Sequence, residues 1–92
     1  MNIGLRYVRN SQLNVELEGE QAYVELGGGS WAVLNQPARA IWESLATPRT
    51  TDEVVAAVLQ RFAGEEASVA RDVRSALADW SELGLAHIHD GP

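Results

Sequence analysis

The spacing of apolar residues changes once along this chain, and that change sets what it can fold into. Between residues 13 and 26 they recur at every second position: Leu13, Val15 and Leu17, then Ala22, Val24 and Leu26. A period of two turns alternate side chains to opposite faces of an extended strand. Beyond residue 36 the spacing becomes three and four. Ala38, Ile41, Trp42 and Leu45 form one stripe, and Val54, Val55, Val58, Leu59 and Phe62 a second. Val69, Val73, Ala76, Leu77, Trp80 and Leu83 form a third. Such stripes are the buried faces of amphipathic helices. Strands first and helices afterwards predict an α+β domain, because a parallel α/β sheet needs the two to alternate.

Local punctuation divides these stretches into elements. Leu5–Arg9 is a short mixed segment. Gly19-Glu20 turns the chain between Leu13–Glu18 and Gln21–Leu26, and Gly27-Gly28-Gly29 turns it again before Ser30–Leu34, which gives an antiparallel meander. Asn35 has the chemistry of an N-cap, with Pro37 in the first helical turn and Pro48 expected to end that helix. Thr50-Thr51-Asp52-Glu53 has the form of a capping box. The third helix is predicted from about Ala67 to Leu83, with Gly84 at its left-handed C-terminal position and a short closing strand over Leu85–His89.

The expected layout is winged helix-turn-helix-like. A three-stranded antiparallel sheet falls within about residues 5–34 and three helices within about 36–83. The 92 residues make one domain, 1–92.

Composition removes several function classes. Seven basic against thirteen acidic residues leave a net charge of −6, the wrong sign for neutralising phosphates, so no nucleic-acid partner is expected. There is no cysteine, hence no disulfide, thiolate metal site or cysteine nucleophile. No apolar run is long enough to span a bilayer and no secretory signal opens the chain, so no membrane association and a cytoplasmic location are expected. The three glycines are followed by the extended Ser30-Trp31-Ala32-Val33-Leu34 rather than by a helix with Lys and Ser/Thr, so they are a hairpin turn and not a phosphate loop. His87-x-His89-Asp90 supplies two imidazoles where zinc takes three or four protein ligands, and no third histidine exists. No serine sits on a strand-to-helix elbow. The expectation is a non-enzymatic protein without metal or cofactor.

Trp42 and Trp80 lie within helical stripes and are expected in the core. In Ser30–Leu34, Trp31 and Val33 share one face and Ala32 and Leu34 the other. One face packs on the helices and the other is open, and the pattern alone does not say which.

Several ordered pieces carry a resemblance to a known family. They are Trp31-Ala32-Val33-Leu34-Asn35, then Ala38-Arg39-Ala40-Ile41-Trp42-Glu43, then Arg49-Thr50-Thr51-Asp52-Glu53-Val54, and finally Asp72-Val73 through Leu77 to Leu83-Gly84-Leu85. Together with the strands at 13–26, which fit the family's amino-terminal part, they resemble the PqqD family, whose fold is the RiPP recognition element. The resemblance implies a domain that binds the leader segment of a ribosomally made precursor peptide and presents it to a separate maturation enzyme, either a peptidase or a radical enzyme. In that family the leader adds as a strand beside the third strand and lies against the third helix. Carried over by position, the strand contacts are Trp31, Ala32 and Val33, and the helix wall is Val69, Asp72, Val73, Ala76, Asp79 and Trp80. Family members act in several pathways, and as a discrete domain without cysteine this chain resembles the leader-binding protein of lasso-peptide systems.

Two other classes share the same element order. In a winged-helix DNA-binding protein the third helix would present basic and amide side chains to the major groove. This helix offers Arg71 and Arg74 but sets Asp72, Asp79 and Glu82 beside them. A small adaptor would instead use its open strand edge to self-associate.

Overall fold

The computed structural model describes residues 4–89 and contains nine elements. They are strands β1 (Arg6–Arg9), β2 (Val15–Glu18), β3 (Gln21–Gly27) and β4 (Ser30–Leu34), helix α1 (Gln36–Ser44), strand β5 (Arg49–Thr50), helices α2 (Thr51–Arg61) and α3 (Glu66–Leu83), and strand β6 (Ala86–His89). The α+β class and the meander followed by three helices are as the spacing predicts. The order β2-β3-β4 is antiparallel, with Glu18 opposite Gln21 across a two-residue turn and Gly27 opposite Ser30 across another. Gly28 and Gly29 have φ of 59° and 83°, the left-handed pair that a tight hairpin turn requires and other residues rarely adopt.

One departure is a second sheet. β1 does not join the meander but pairs antiparallel with β5 and β6, in the order β5-β1-β6. These strands come from opposite ends and the middle of the sequence, a pairing that no local pattern announces. The expected closing strand after Gly84 is β6, and its partner is β1.

Helix boundaries follow local chemistry. Asn35 accepts a hydrogen bond from the Ala38 N–H at 3.1 Å. Thr50 Oγ1 accepts from Glu53 N–H at 3.2 Å while Glu53 Oε1 accepts from Thr50 N–H at 2.9 Å, completing the capping box. Gly84 closes α3 at φ 81°. α1 stops at Ser44, before Pro48 is reached: Leu45 and Ala46 N–H bond to Trp42 and Glu43 carbonyls, a tightened last turn that leaves the proline no helix to end.

The core lies between the meander and the helices. Ala22, Val24 and Leu34 come from the sheet, Ile41, Trp42 and Leu45 from α1, Val54, Val55 and Val58 from α2, and Val73, Leu77 and Trp80 from α3. Trp42 and Trp80 meet edge to face, with centroids 6.1 Å apart, an arrangement that suits the ring quadrupoles. The Arg9 guanidinium covers the outer side of Trp42 at 5.6 Å.

Two expected inward faces are exposed. Val15 and Leu17 point to the same side as Val24 and Ala22, yet Leu17 is 63% exposed. α1 packs on β3 and β4 and faces β2 only across an open cleft, so the alternation of β2 is left largely exposed. Leu83, the last member of the α3 stripe, is also exposed.

Candidate functional site

β4 is an edge strand. β3 occupies one side, and its other side carries no strand among the described residues. Successive residues aim their N–H and C=O groups at opposite edges, so half of the β4 backbone polar groups point outward and can accept an added strand. Asn35 caps α1 directly after Leu34, so the strand runs straight into a helix that fixes its end.

The register settles which face of β4 is open. Ala32 is opposite Val24 and Leu34 opposite Ala22, and these face the helices. Trp31 is opposite Glu25 and Val33 opposite Tyr23, on the outer face. Val33 is 58% and Trp31 41% exposed, while Ala32 is half-buried and Leu34 buried.

The helix half of the expected site divides in two. Asp72 and Asp79 are exposed, and Val69 and Ala76 are half-buried. These four lie three or four residues apart and form a shoulder along α3. Val73 and Trp80, which the resemblance sets on the helix wall, lie in the core, as their apolar stripe predicts. The reason is helical phase. Residues 73, 77 and 80 take the innermost line, against α2 and the Trp42 ring, and 72, 76 and 79 are rotated outward from it. β4 packs mainly on β3 and α1, and α3 on α2 and β6, so the two halves are joined through the core they share.

The exposed face of α3 has mixed charge. Arg71 and Arg74 stand beside Asp72, Asp79 and Glu82, and Arg71 Nε lies 4.0 Å from Asp72 Oδ1. His87 and His89 are exposed on β6, while Asp90 lies outside the described residues. Among the described residues no group of three or more histidine or carboxylate side chains converges as metal ligands would. No helix there is long and apolar enough to cross a membrane.

The strongest electrostatic knot supports the scaffold rather than a site. Glu43 on α1 accepts from Arg61 Nη1 on α2 at 2.7 Å and from Arg39 Nε at 2.9 Å. Arg39 also donates to the Gly19 carbonyl in the β2–β3 turn, tying that hairpin to the helices. Arg61, then Arg39, hold the Glu43 carboxyl below the usual carboxylate range, with burial opposing them. Glu53 is lowered as well, chiefly by the Thr50 N–H of the capping box.

Two surface features escape a reading made one strand at a time. The outer sheet face brings Glu16, Glu18, Tyr23, Trp31 and Val33 around one shallow depression, and Leu17 reaches its rim from the helix-facing side of β2. Counting outward from the two-residue turn at Gly19-Glu20 would have placed Glu16 beside Tyr23 and found it. The second is the other free edge of the meander, β2, where Leu13, Val15 and Leu17 line a cleft with Arg9, Arg39 and Trp42.

No curated protein matches this chain, and no solved structure does. One family model does match, that described as Coenzyme PQQ synthesis protein D (PqqD), over residues 20–86. That span takes in β3, β4, β5, all three helices and the first residue of β6. With about three-quarters of its length matched, the chain belongs to the PqqD family, the RiPP recognition elements that its sequence resembles.

Proposed function

We propose that this protein binds the leader segment of a ribosomally synthesised precursor peptide by adding it as a strand to β4, and delivers it to a separate maturation enzyme. The observation that carries the reading is the free edge of β4, within a family of non-catalytic peptide-binding chaperones. An extended peptide gains main-chain hydrogen bonds at such an edge, and its alternate side chains are read by the surfaces on either side. Here the outer side offers Trp31 and Val33, and the inner side offers Ala32. The α3 shoulder of Val69, Asp72, Ala76 and Asp79 adds apolar contact and two carboxylates, which suit a leader with basic residues. Val73 and Trp80 act from behind, by fixing the helix.

The enzyme served is, on this proposal, the leader peptidase of a lasso-peptide system. Titration against that peptidase and against a radical enzyme of another peptide-modifying pathway separates the two.

Proline at Ala32 or at Val33 tests the strand addition. Adjacent residues donate to opposite edges, so one of the two substitutions removes an outward donor while both fix φ. With helical circular dichroism retained, at least one variant is expected to bind the leader about tenfold or more weakly by calorimetry. Wild-type affinity in both folded variants would rule out this edge.

A further inference from the structure

Among the described residues β2 has no strand on the side away from β3, so the meander has a second free edge. The ladder shows which groups stand on it. The Glu25 N–H donates to the Asn14 carbonyl, so Asn14 and, in alternation, Glu16 and Glu18 bond inward to β3. The N–H and C=O groups of Val15 and Leu17 point outward. Their side chains lie on the helix-facing side, opposite Val24 and Ala22, and line the cleft of about 310 Å³ between β2 and α1. Edge and cleft thus belong to the same two residues, and a strand added there turns alternate side chains into the cleft.

Charge identifies what those side chains are. At the Leu17 end of the cleft, Arg39 donates to the Gly19 carbonyl and pairs with Glu43. At the Leu13 end stands Arg9, next to the turn in which the Gln12 and Leu13 N–H groups donate to Asn10. Arg9 is half-buried over the Trp42 ring, and its guanidinium reaches the Trp42 carbonyl at 3.5 Å. None of the ion pairs among the described residues engages it. A cation partly withdrawn from water, with only a neutral acceptor, gains from a carboxylate. On the other face of β2, Glu16 and Glu18 are exposed and join none of those ion pairs either. A second copy of this chain is therefore a poor occupant. Pairing β2 with β2 about a two-fold axis would set these carboxylates against their counterparts.

We propose that the β2 edge and its cleft form a second strand-addition site. Its ligand is an extended polypeptide segment whose cleft-facing residues are apolar beside Val15 and Leu17 and acidic beside Arg9, with neutral or basic residues between them. The acid pairs with the Arg9 guanidinium, the apolar side chains cover Val15 and Leu17, and the outward main-chain groups of those two residues gain partners. The intervening residues stand beside Glu16 and Glu18. The meander separates this edge from β4, so the two edges are filled independently.

The test uses the isotopically labelled full chain and blocked synthetic peptides in which leucine alternates with threonine and glutamate replaces the leucine at one end, one peptide for each strand direction. One of them is expected to protect the Val15 and Leu17 amides from exchange, leave those of β4 unchanged, and bind about fivefold or more tightly than its glutamine counterpart. In Arg9→Gln the acid and amide peptides bind alike, and in Arg9→Lys the preference for the acid returns. Leu17→Glu, at a position 63% exposed where the fold tolerates a charge, weakens the acid peptide about tenfold or more. Val15 and Leu17 amides unprotected at millimolar peptide, protection of β4 in their place, equal affinity of the acid and amide peptides for wild type, or an undiminished preference in folded Arg9→Gln would each overturn the site. So would octanoate that binds as tightly as the peptide and displaces it, which would give the cleft to a free amphiphilic acid. Protection of the same amides by rising concentration of the chain alone would give the edge to a second copy and overturn it too.

Discussion

Glu43 is the side chain on which most of the inter-element electrostatics converge, joining α1 to α2 through Arg61 and, through Arg39, to the β2–β3 turn. Its carboxyl is lowered in the folded state, so it contributes stability above the usual carboxylate range and loses that contribution as pH falls through it. Glu43→Gln is therefore expected to flatten the acid side of the stability profile: between about pH 6 and about pH 3 the denaturation midpoint should fall less in the variant than in wild type. Equal slopes would show that the pairs carry no such energy. The Glu43–Arg61 pair spans eighteen positions between two helices, and no sequence pattern links the partners. The caps are different. Asn35, Thr50 with Glu53, and Gly84 act on backbone groups within a few residues of themselves, so their roles were legible from the sequence alone.

At the level of elements, period and burial proved to be separate pieces of information. Alternation identified which residues of β2 share a face, but whether anything covers that face depends on where α1 comes to rest. Leu17 and Leu77 both sit in apolar patterns, one 63% and the other 1% exposed. Leu77→Ala should cost about 2–5 kcal/mol in chemical denaturation, by lost burial and the cavity left behind. Leu17→Ala should stay within about 0.5 kcal/mol of wild type. Comparable losses would mean that β2 is covered after all. The same distinction governs the candidate site. The family resemblance grouped Val69, Asp72, Val73, Ala76, Asp79 and Trp80 as one helix wall, and only packing against α2 and Trp42 divided them into core and shoulder. Trp31 and Val33 faced outward once the register with β3 was known. The β5-β1-β6 sheet was the least legible element, since its pairing joins residues 6–9 with 49–50 and 86–89 across long loops of chain.

The molecule is a meander fixed at one side to a helical core, with neither outer strand paired further among the described residues and its positive charge elsewhere. All seven basic residues are arginines at positions 6, 9, 39, 49, 61, 71 and 74, and none lies within β2, β3 or β4. A domain so arranged offers a strand edge to an extended polypeptide. Strand addition at β4 has a consequence that other modes of peptide binding lack: outward amides of Ser30–Leu34 enter new hydrogen bonds. Amide hydrogen exchange of the full chain, with and without a synthetic precursor leader, reads this residue by residue. Alternate amides within Ser30–Leu34 should become protected on binding, with β2 unchanged. A bound leader that leaves all β4 amides at their free rates, or protects β2 instead, would contradict strand addition at this edge.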